Sequence, residues 1–94
     1  NLPLNPGISS VRFEVLDLAA RALPVADVVT ANLTGALLVR SAERLLPAVK
    51  PGGTLVLSGI LDVELSDVLR AFAALTVVHE AHDGEWVALT LTRP

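Results

Sequence analysis

The chain is 94 residues long, enough for one domain around one core and too short for two. Hydrophobic residues make up 52% of it and charged residues only 18%, against about 25% in an ordinary soluble domain, so either a sheet is buried on both faces or some apolar surface is meant for other polypeptide. The net charge of -3, with seven scattered Lys and Arg, argues against nucleic acid as a direct partner; zero Cys excludes disulfides, thiolate zinc sites and thiol catalysis and suits a cytoplasmic protein. Apolar runs stop well short of the ~18 residues of a membrane span and no signal-peptide pattern is visible, so a soluble protein with no membrane partner is expected. The sequence opens at Asn1 in mid-pattern and contains no Met, which reads as a fragment of a longer chain.

Val11 to Leu16 alternates and is rich in β-formers, with Pro6-Gly7 before it and Asp17 closing it, which predicts a strand. Asp27 to Asn32 is a short apolar run that predicts a second strand, buried on both faces. From Gly35 to Val49 the period becomes helical: Leu38, Ala42, Leu45, Leu46 and Val49 share a face, and Arg40, Glu43 and Arg44 lie towards the other. Thr34 is the expected N-cap, Lys50 the C-terminal charge, Pro47 falls where the helix is already ending, and Pro51-Gly52-Gly53 is the stop. Thr54 to Ser58 predicts a third buried strand, ended by Gly59.

Asp62 is placed to cap a second helix running through Ala74, with Leu65, Val68, Leu69 and Phe72 as its apolar stripe. Glu64 in its first turn suits the helix dipole, and Glu64 and Asp67 read as a solvated face. Thr76 to Ala81 and Glu85 to Thr92 are β-rich stretches around His82-Asp83-Gly84, and Asp-Gly is a strong hairpin signal. His79 and His82 near this turn have no third ligand in the sequence, so no metal site is expected. Helices alternating with strands, followed by a hairpin, predict an open α/β sheet of parallel strands that ends antiparallel.

Ligands of open parallel sheets bind outside the carboxyl ends of the strands, which singles out Asp17, Asn32 and Ser58. Small polar residues also end strands simply because they favour turns. Asn32 stands apart from that explanation: Thr34 already supplies the cap, and an amide binds a ligand without titrating.

Several segments together carry a resemblance. Asp27-Val-Val-Thr-Ala-Asn32-Leu33, Lys50-Pro51-Gly52-Gly53, Leu57-Ser58-Gly59-Ile60-Leu61 and Gly84-Glu85-Trp86-Val87, in this order, resemble the PrmA family of ribosomal-protein methyltransferases, and Asn1-Leu-Pro-Leu-Asn5 is similar to its helix before the third strand. Pro-Gly-Gly alone is widely shared; the ordered set is specific and spans nearly the whole chain. The resemblance implies the C-terminal part of a Rossmann-like class I catalytic domain that uses S-adenosylmethionine to methylate lysines and an N-terminal amine of a ribosomal protein. It implies catalytic roles for Asn32 and Leu33, cofactor contacts for Asp17 and Asn32, and substrate contacts for Trp86 and Ser58. On packing grounds the first expectation for Trp86 is to anchor the hairpin on the sheet, and for Ser58 and Gly59 to pack and turn the chain out of the strand. A side chain larger than Gly at 59 would intrude on the ligand edge.

The sequence also departs from the family. The glycine-rich loop after the first strand, the acidic residue that would hold the ribose and the N-terminal substrate domain are absent, and Asn32-Leu33 continues into Thr34-Gly35 without the Pro-Pro-aromatic run of other amine methyltransferases. The isolated chain is therefore expected to be inactive and to bind S-adenosylmethionine weakly or not at all. Without the first strand, the strand ending at Asn32 would present a bare apolar edge, from which self-association is expected. The alternatives are a class I methyltransferase for a small molecule or another protein, and a degenerate non-catalytic interaction module; the module would be expected to have lost Asn32 or Asp17.

Overall fold

The computed structural model describes residues 9–13 and 25–94. Strands β1 (Ser10–Phe13), β2 (Ala26–Asn32), β3 (Val49–Leu61), β4 (Thr76–Asp83) and β5 (Trp86–Thr92) form a five-stranded sheet in the order β1-β2-β3-β5-β4. β1, β2 and β3 are parallel, whereas β5 runs antiparallel to β3 and β4 antiparallel to β5. Helix α1 (Gly35–Ala48) joins β2 to β3, and a short 3-10 turn (Asp62–Glu64) followed by α2 (Leu65–Ala71) joins β3 to the hairpin. This is the α/β sheet with a closing antiparallel hairpin that the alternation of periods predicts.

α1 begins where expected because Thr34 is extended, with φ -62° and ψ 157°, and its hydroxyl accepts from the Leu37 amide at 3.3 Å. Leu38, Ala42 and Leu45 are buried at helical spacing, and Arg40 and Glu43 are exposed. The cation at the far end is not Lys50. Arg93, from the end of the chain, donates through Nη1 to the carbonyls of Val49 at 2.6 Å and Leu46 at 3.4 Å, the latter also accepting from the Val49 amide that caps the helix. Lys50 lies in β3 and pairs with Asp27 instead, at 3.6 Å. Val49, expected as the last residue of the helix, is likewise in β3.

Leu38 and Leu45 of α1, Val68 and Phe72 around α2, Leu55 and Leu57 of β3, and Leu89 and Leu91 of β5 form the core. Burial alternates along β3 and β5, so in the central strands the residues on one face are buried, while Val28, Val56 and Thr90 on the other face are covered only in part. This corrects the expectation of strands buried on both faces.

β3 is longer than Thr54 to Ser58 at both ends. Pro51-Gly52-Gly53 does not stop it, because Gly52 donates to the Arg93 carbonyl at 2.8 Å and Arg93 donates back to Gly53 at 3.0 Å. The additional residues are absorbed in an irregularity of the β2–β3 register, where Ala26 faces Val49 and Val28 faces Thr54. Gly59 does not end the strand either. With φ +85° it makes an irregularity between Leu57 and Ile60, after which pairing with β5 resumes at Ile60–Val87 and Leu61–Trp86. α2 ends at Ala71, short of Ala74, and Asp62 makes no capping bond. The hairpin is shifted as well: Asp83 pairs with Trp86, so its turn is Gly84-Glu85, with φ 60° at Gly84 as a type II′ turn requires. His79 and His82 lie in the exposed strand β4. Trp86 is 51% exposed, which corrects its expected role as an anchor.

The bare edge expected on β2 is not there. β1 pairs along it from Ser10–Val28 to Phe13–Ala31. Just before β1, the amide and hydroxyl of Ser9 each donate to Asp27 Oδ2 at 3.0 Å, and the Asp27 amide donates to the Ser9 hydroxyl at 3.1 Å. The sheet's outer strands are β1 and β4, so the case for self-association through β2 falls. The predicted first strand extends to Leu16; its part beyond Phe13, and Asp17 and the Asn1–Asn5 match, lie outside the described residues.

Candidate active site

Asn32, the last residue of β2, is in register with Ser58, the residue before Gly59, although β3 itself runs on to Leu61. From this pair the chain continues along two exits, Asn32-Leu33-Thr34-Gly35 and Ser58-Gly59-Ile60-Leu61. Leu33 buries its side chain in the core and Thr34 commits its hydroxyl to the α1 cap, so the first exit is held at successive residues. Ile60 is fully buried and holds the second.

The exits meet at Gly59. A Cβ there would stand 2.8 Å from Asn32 Oδ1 and 3.0 Å from the Leu33 carbonyl oxygen, both below ordinary contact. Two neutral acceptor oxygens therefore converge on one flank of this glycine, and the approach exists only because it has no side chain. Asn32 is exposed, and among the described residues its side chain makes no hydrogen bond. Such a pair accepts N–H donors without itself titrating.

Gly59 and Ser58 also line an open hollow of about 190 Å³ with Ala81, His82, Asp83 and Trp86. Asn32, Leu33 and Ser58 are thus brought together at one end of the sheet, and Trp86 shares the hollow with Ser58 and Gly59. Of the residues the sequence singles out, Asp17 is the one the described structure does not place.

Glu64, read from the sequence as part of a solvated face, is half-buried instead. Its Oε1 accepts from the Leu61 amide at 3.0 Å and from the Gly35 amide at 3.2 Å. A signal for the first bond was present, since a Glu three residues after a helix cap commonly reaches back to it, but Leu61 is not a capping residue type and hides the pattern. Gly35 at the start of α1 is the matching signal: a Cβ there would meet Glu64 Cβ at 2.6 Å.

At the opposite end of the sheet, the Ser9 amide and hydroxyl hold the Asp27 carboxyl below its ordinary value, with Lys50 adding to the effect. This polar cluster joins β1, β2 and the start of β3. No helix of the described residues is long and apolar enough to cross a membrane.

Comparison with known proteins agrees with this architecture. The family model for ribosomal protein L11 methyltransferase (PrmA) matches residues 1–94. The ribosomal protein L11 methyltransferase of Chloroflexus aurantiacus is 49% identical over 70 residues, covering 72% of this chain and 21% of that protein. That of Streptococcus pyogenes serotype M3 is 34% identical over 95 residues, covering 99% of this chain and 30% of that protein. The chain thus spans between about a fifth and a third of the length of these relatives. Among solved structures, the ribosomal protein L11 methylase of Lactobacillus delbrueckii subsp. bulgaricus superposes with a TM-score of 0.73 at 22% identity, covering 79% of this chain and 40% of that one. A T. thermophilus 16S rRNA methyltransferase in complex with AdoMet and guanosine gives 0.55 at 20% identity, covering 77% and 21%. These structural likenesses establish a class I methyltransferase fold, and the match to the family model along the whole sequence establishes more: this chain belongs to the ribosomal protein L11 methyltransferase (PrmA) family.

Proposed function

We propose that the protein to which this chain contributes transfers methyl groups from S-adenosylmethionine to amines of a ribosomal protein, lysine side chains and an N-terminal amine, in the cytoplasm. The observation that carries this reading is the convergence of Asn32 Oδ1 and the Leu33 carbonyl beside Gly59. S-adenosylmethionine supplies a methyl group made electrophilic by the sulfonium that bears it. What the protein must add is a neutral amine held with its lone pair aimed at that carbon. Asn32 Oδ1 and the Leu33 carbonyl accept the amine's hydrogens and so fix its orientation. As positive charge builds on the nitrogen, the same two oxygens stabilise it without any change of their own protonation. A carboxylate at position 32 would instead hold the amine as an ammonium, with no lone pair to offer.

The described residues fit the acceptor half of such a site: two oxygens, a glycine that admits them, and a hollow next to it in which Ser58 and Trp86 border the incoming side chain. The other half would be held by Asp17, on the adenine amino group, together with residues upstream of this segment. The 94-residue chain alone is accordingly inactive, and calorimetric titration with S-adenosylmethionine should detect no micromolar binding; a micromolar isotherm would refute this division.

The deciding test is Asn32→Ala in the full-length enzyme. Transfer to the amine substrate should fall by about a hundredfold or more while affinity for S-adenosylmethionine is largely retained. If affinity and transfer fall together, Asn32 serves the cofactor or the fold and the reading fails.

A further inference from the structure

We infer that Glu64 is a positioning residue of the methyl-transfer site, acting through the two strand exits that build it. A single carboxylate oxygen, Oε1, accepts from Leu61 at 3.0 Å and from Gly35 at 3.2 Å. Leu61 lies two residues beyond Gly59 and Gly35 lies three beyond Asn32. Glu64 therefore ties together, on the helix side, the same two exits that meet at Asn32 Oδ1, the Leu33 carbonyl and Gly59 on the sheet side. No strand pairing does this work. The β2–β3 register ends at Asn32–Ser58; beyond it the first exit turns into α1, while the second stays paired with β5 through Ile60–Val87 and Leu61–Trp86 before the 3-10 turn, so strand pairing holds the second exit to β5 and not to the first.

The residue type is dictated by that geometry. Both donors are backbone amides at helix starts, which α1 and the 3-10 turn cannot satisfy internally, and one oxygen with two lone pairs serves both. Gly35 is required by the same contact. Its backbone does not need glycine, since φ at 35 is not positive, and Ala would be the better helix former; but a Cβ would stand 2.6 Å from Glu64 Cβ, 2.7 Å from Cδ and 2.8 Å from Oε1. The glycine keeps the space through which the carboxylate reaches the amide.

This inference rests on the amine-site reading above, and its test separates the two. In the full-length enzyme, Glu64→Ala should lower kcat by about tenfold or more with KM for S-adenosylmethionine unchanged, because the displaced oxygens belong to the acceptor half. Glu64→Gln keeps an acceptor oxygen on a side chain of the same shape and should restore kcat to within about threefold of the parent. Gly35→Ala should reproduce the loss seen in Glu64→Ala. A role in stability alone would show as equal melting points and equal activity in Glu64→Gln and the parent, with Glu64→Ala losing melting temperature but not kcat per folded molecule; that result overturns the inference. So does a Glu64→Gln variant as impaired as Glu64→Ala. If Glu64→Ala does not fold, amide hydrogen exchange in Gly35→Ala decides: faster exchange at Leu61 accompanied by lower kcat supports the tie, and unchanged kcat overturns it. Should Asn32→Ala leave transfer intact while Glu64 variants behave as expected, the amine-site reading is the part that fails.

Discussion

Gly59 carries two separate constraints, and substitution by Ala should show both. Gly52, Gly59 and Gly84 have φ values of 78°, 85° and 60°, which L-residues rarely adopt, so substitution at each carries a backbone penalty of about 1–2 kcal/mol, larger at Gly84 because a type II′ turn lies outside the left-handed helical region. At Gly52 and Gly84 nothing lies within 4 Å of an added Cβ, so that penalty is the whole effect. At Gly59 the methyl would lie 2.8 Å from Asn32 Oδ1 and 3.0 Å from the Leu33 oxygen. The amide can swing away, but the Leu33 carbonyl is main chain, fixed between a buried side chain and the Thr34 cap, so the strand exit itself has to move. Overpacking of that kind adds about 1–3 kcal/mol. Urea unfolding followed by far-ultraviolet circular dichroism should place Gly59→Ala below Gly52→Ala by that increment, with unchanged m-values. In the full-length enzyme only Gly59→Ala should also lose methyl transfer. If Gly59→Ala unfolds within about 0.5 kcal/mol of Gly52→Ala, the contact with Asn32 and Leu33 is not tight and the argument built on it is refuted.

The other expectations concern the opposite end of the sheet. Because Ser9 and Lys50 lower the pKa of Asp27, its contribution to stability is complete above the ordinary value of 3.8 and is lost as pH falls through the lowered one; Asp27→Asn should flatten the acid side of a stability–pH curve, and parallel curves below 3.8 would refute this. Removing the Arg93 side chain deprives the Val49 and Leu46 carbonyls of a charged donor, so Arg93→Ala should lower the urea-unfolding stability by about 1–2 kcal/mol, and a change below about 0.3 kcal/mol would show that water replaces it without loss.

What the sequence made legible was local. The cap at Thr34 and the spacing of Leu38, Ala42 and Leu45 define α1 within a few residues, and β2 ends at Asn32 as its run of apolar residues does. The candidate site followed from those endings, since Asn32 and Ser58 terminate neighbouring runs and Gly59 follows. What was not legible depends on partners distant along the chain. Pro51-Gly52-Gly53 is a stop signal locally, but Arg93 supplies it with strand-like hydrogen bonds from the far end of the chain. Glu64 looks solvated in its own helix, and only the approach of Gly35, from a separate element, makes it half-buried. Trp86 looked like an anchor because large aromatics usually are; placed at the first position of β5, beside the turn, it stays half-exposed and borders the hollow.

These differences fall into a pattern that bears on how the fold supports a reaction. At the amino ends of the parallel strands the polar groups are committed to one another: Ser9 with Asp27, Asp27 with Lys50, Arg93 with Gly52, Gly53 and the end of α1. At the carboxyl ends the Asn32 side chain makes no hydrogen bond among the described residues, and the residues around it serve to fix its position: Leu33 by burial, Thr34 by capping, Gly59 by making room, Glu64 by tying the exits. An uncommitted amide is useful only if its surroundings do not relax to satisfy it, and that rigidity is what these neighbours provide. Changes at the amino end should therefore alter stability and leave the rate per folded molecule untouched. Changes at Gly59 or Glu64 should alter that rate even when the fold survives, because each displaces the oxygens that orient the amine, and transfer depends on that near-attack geometry.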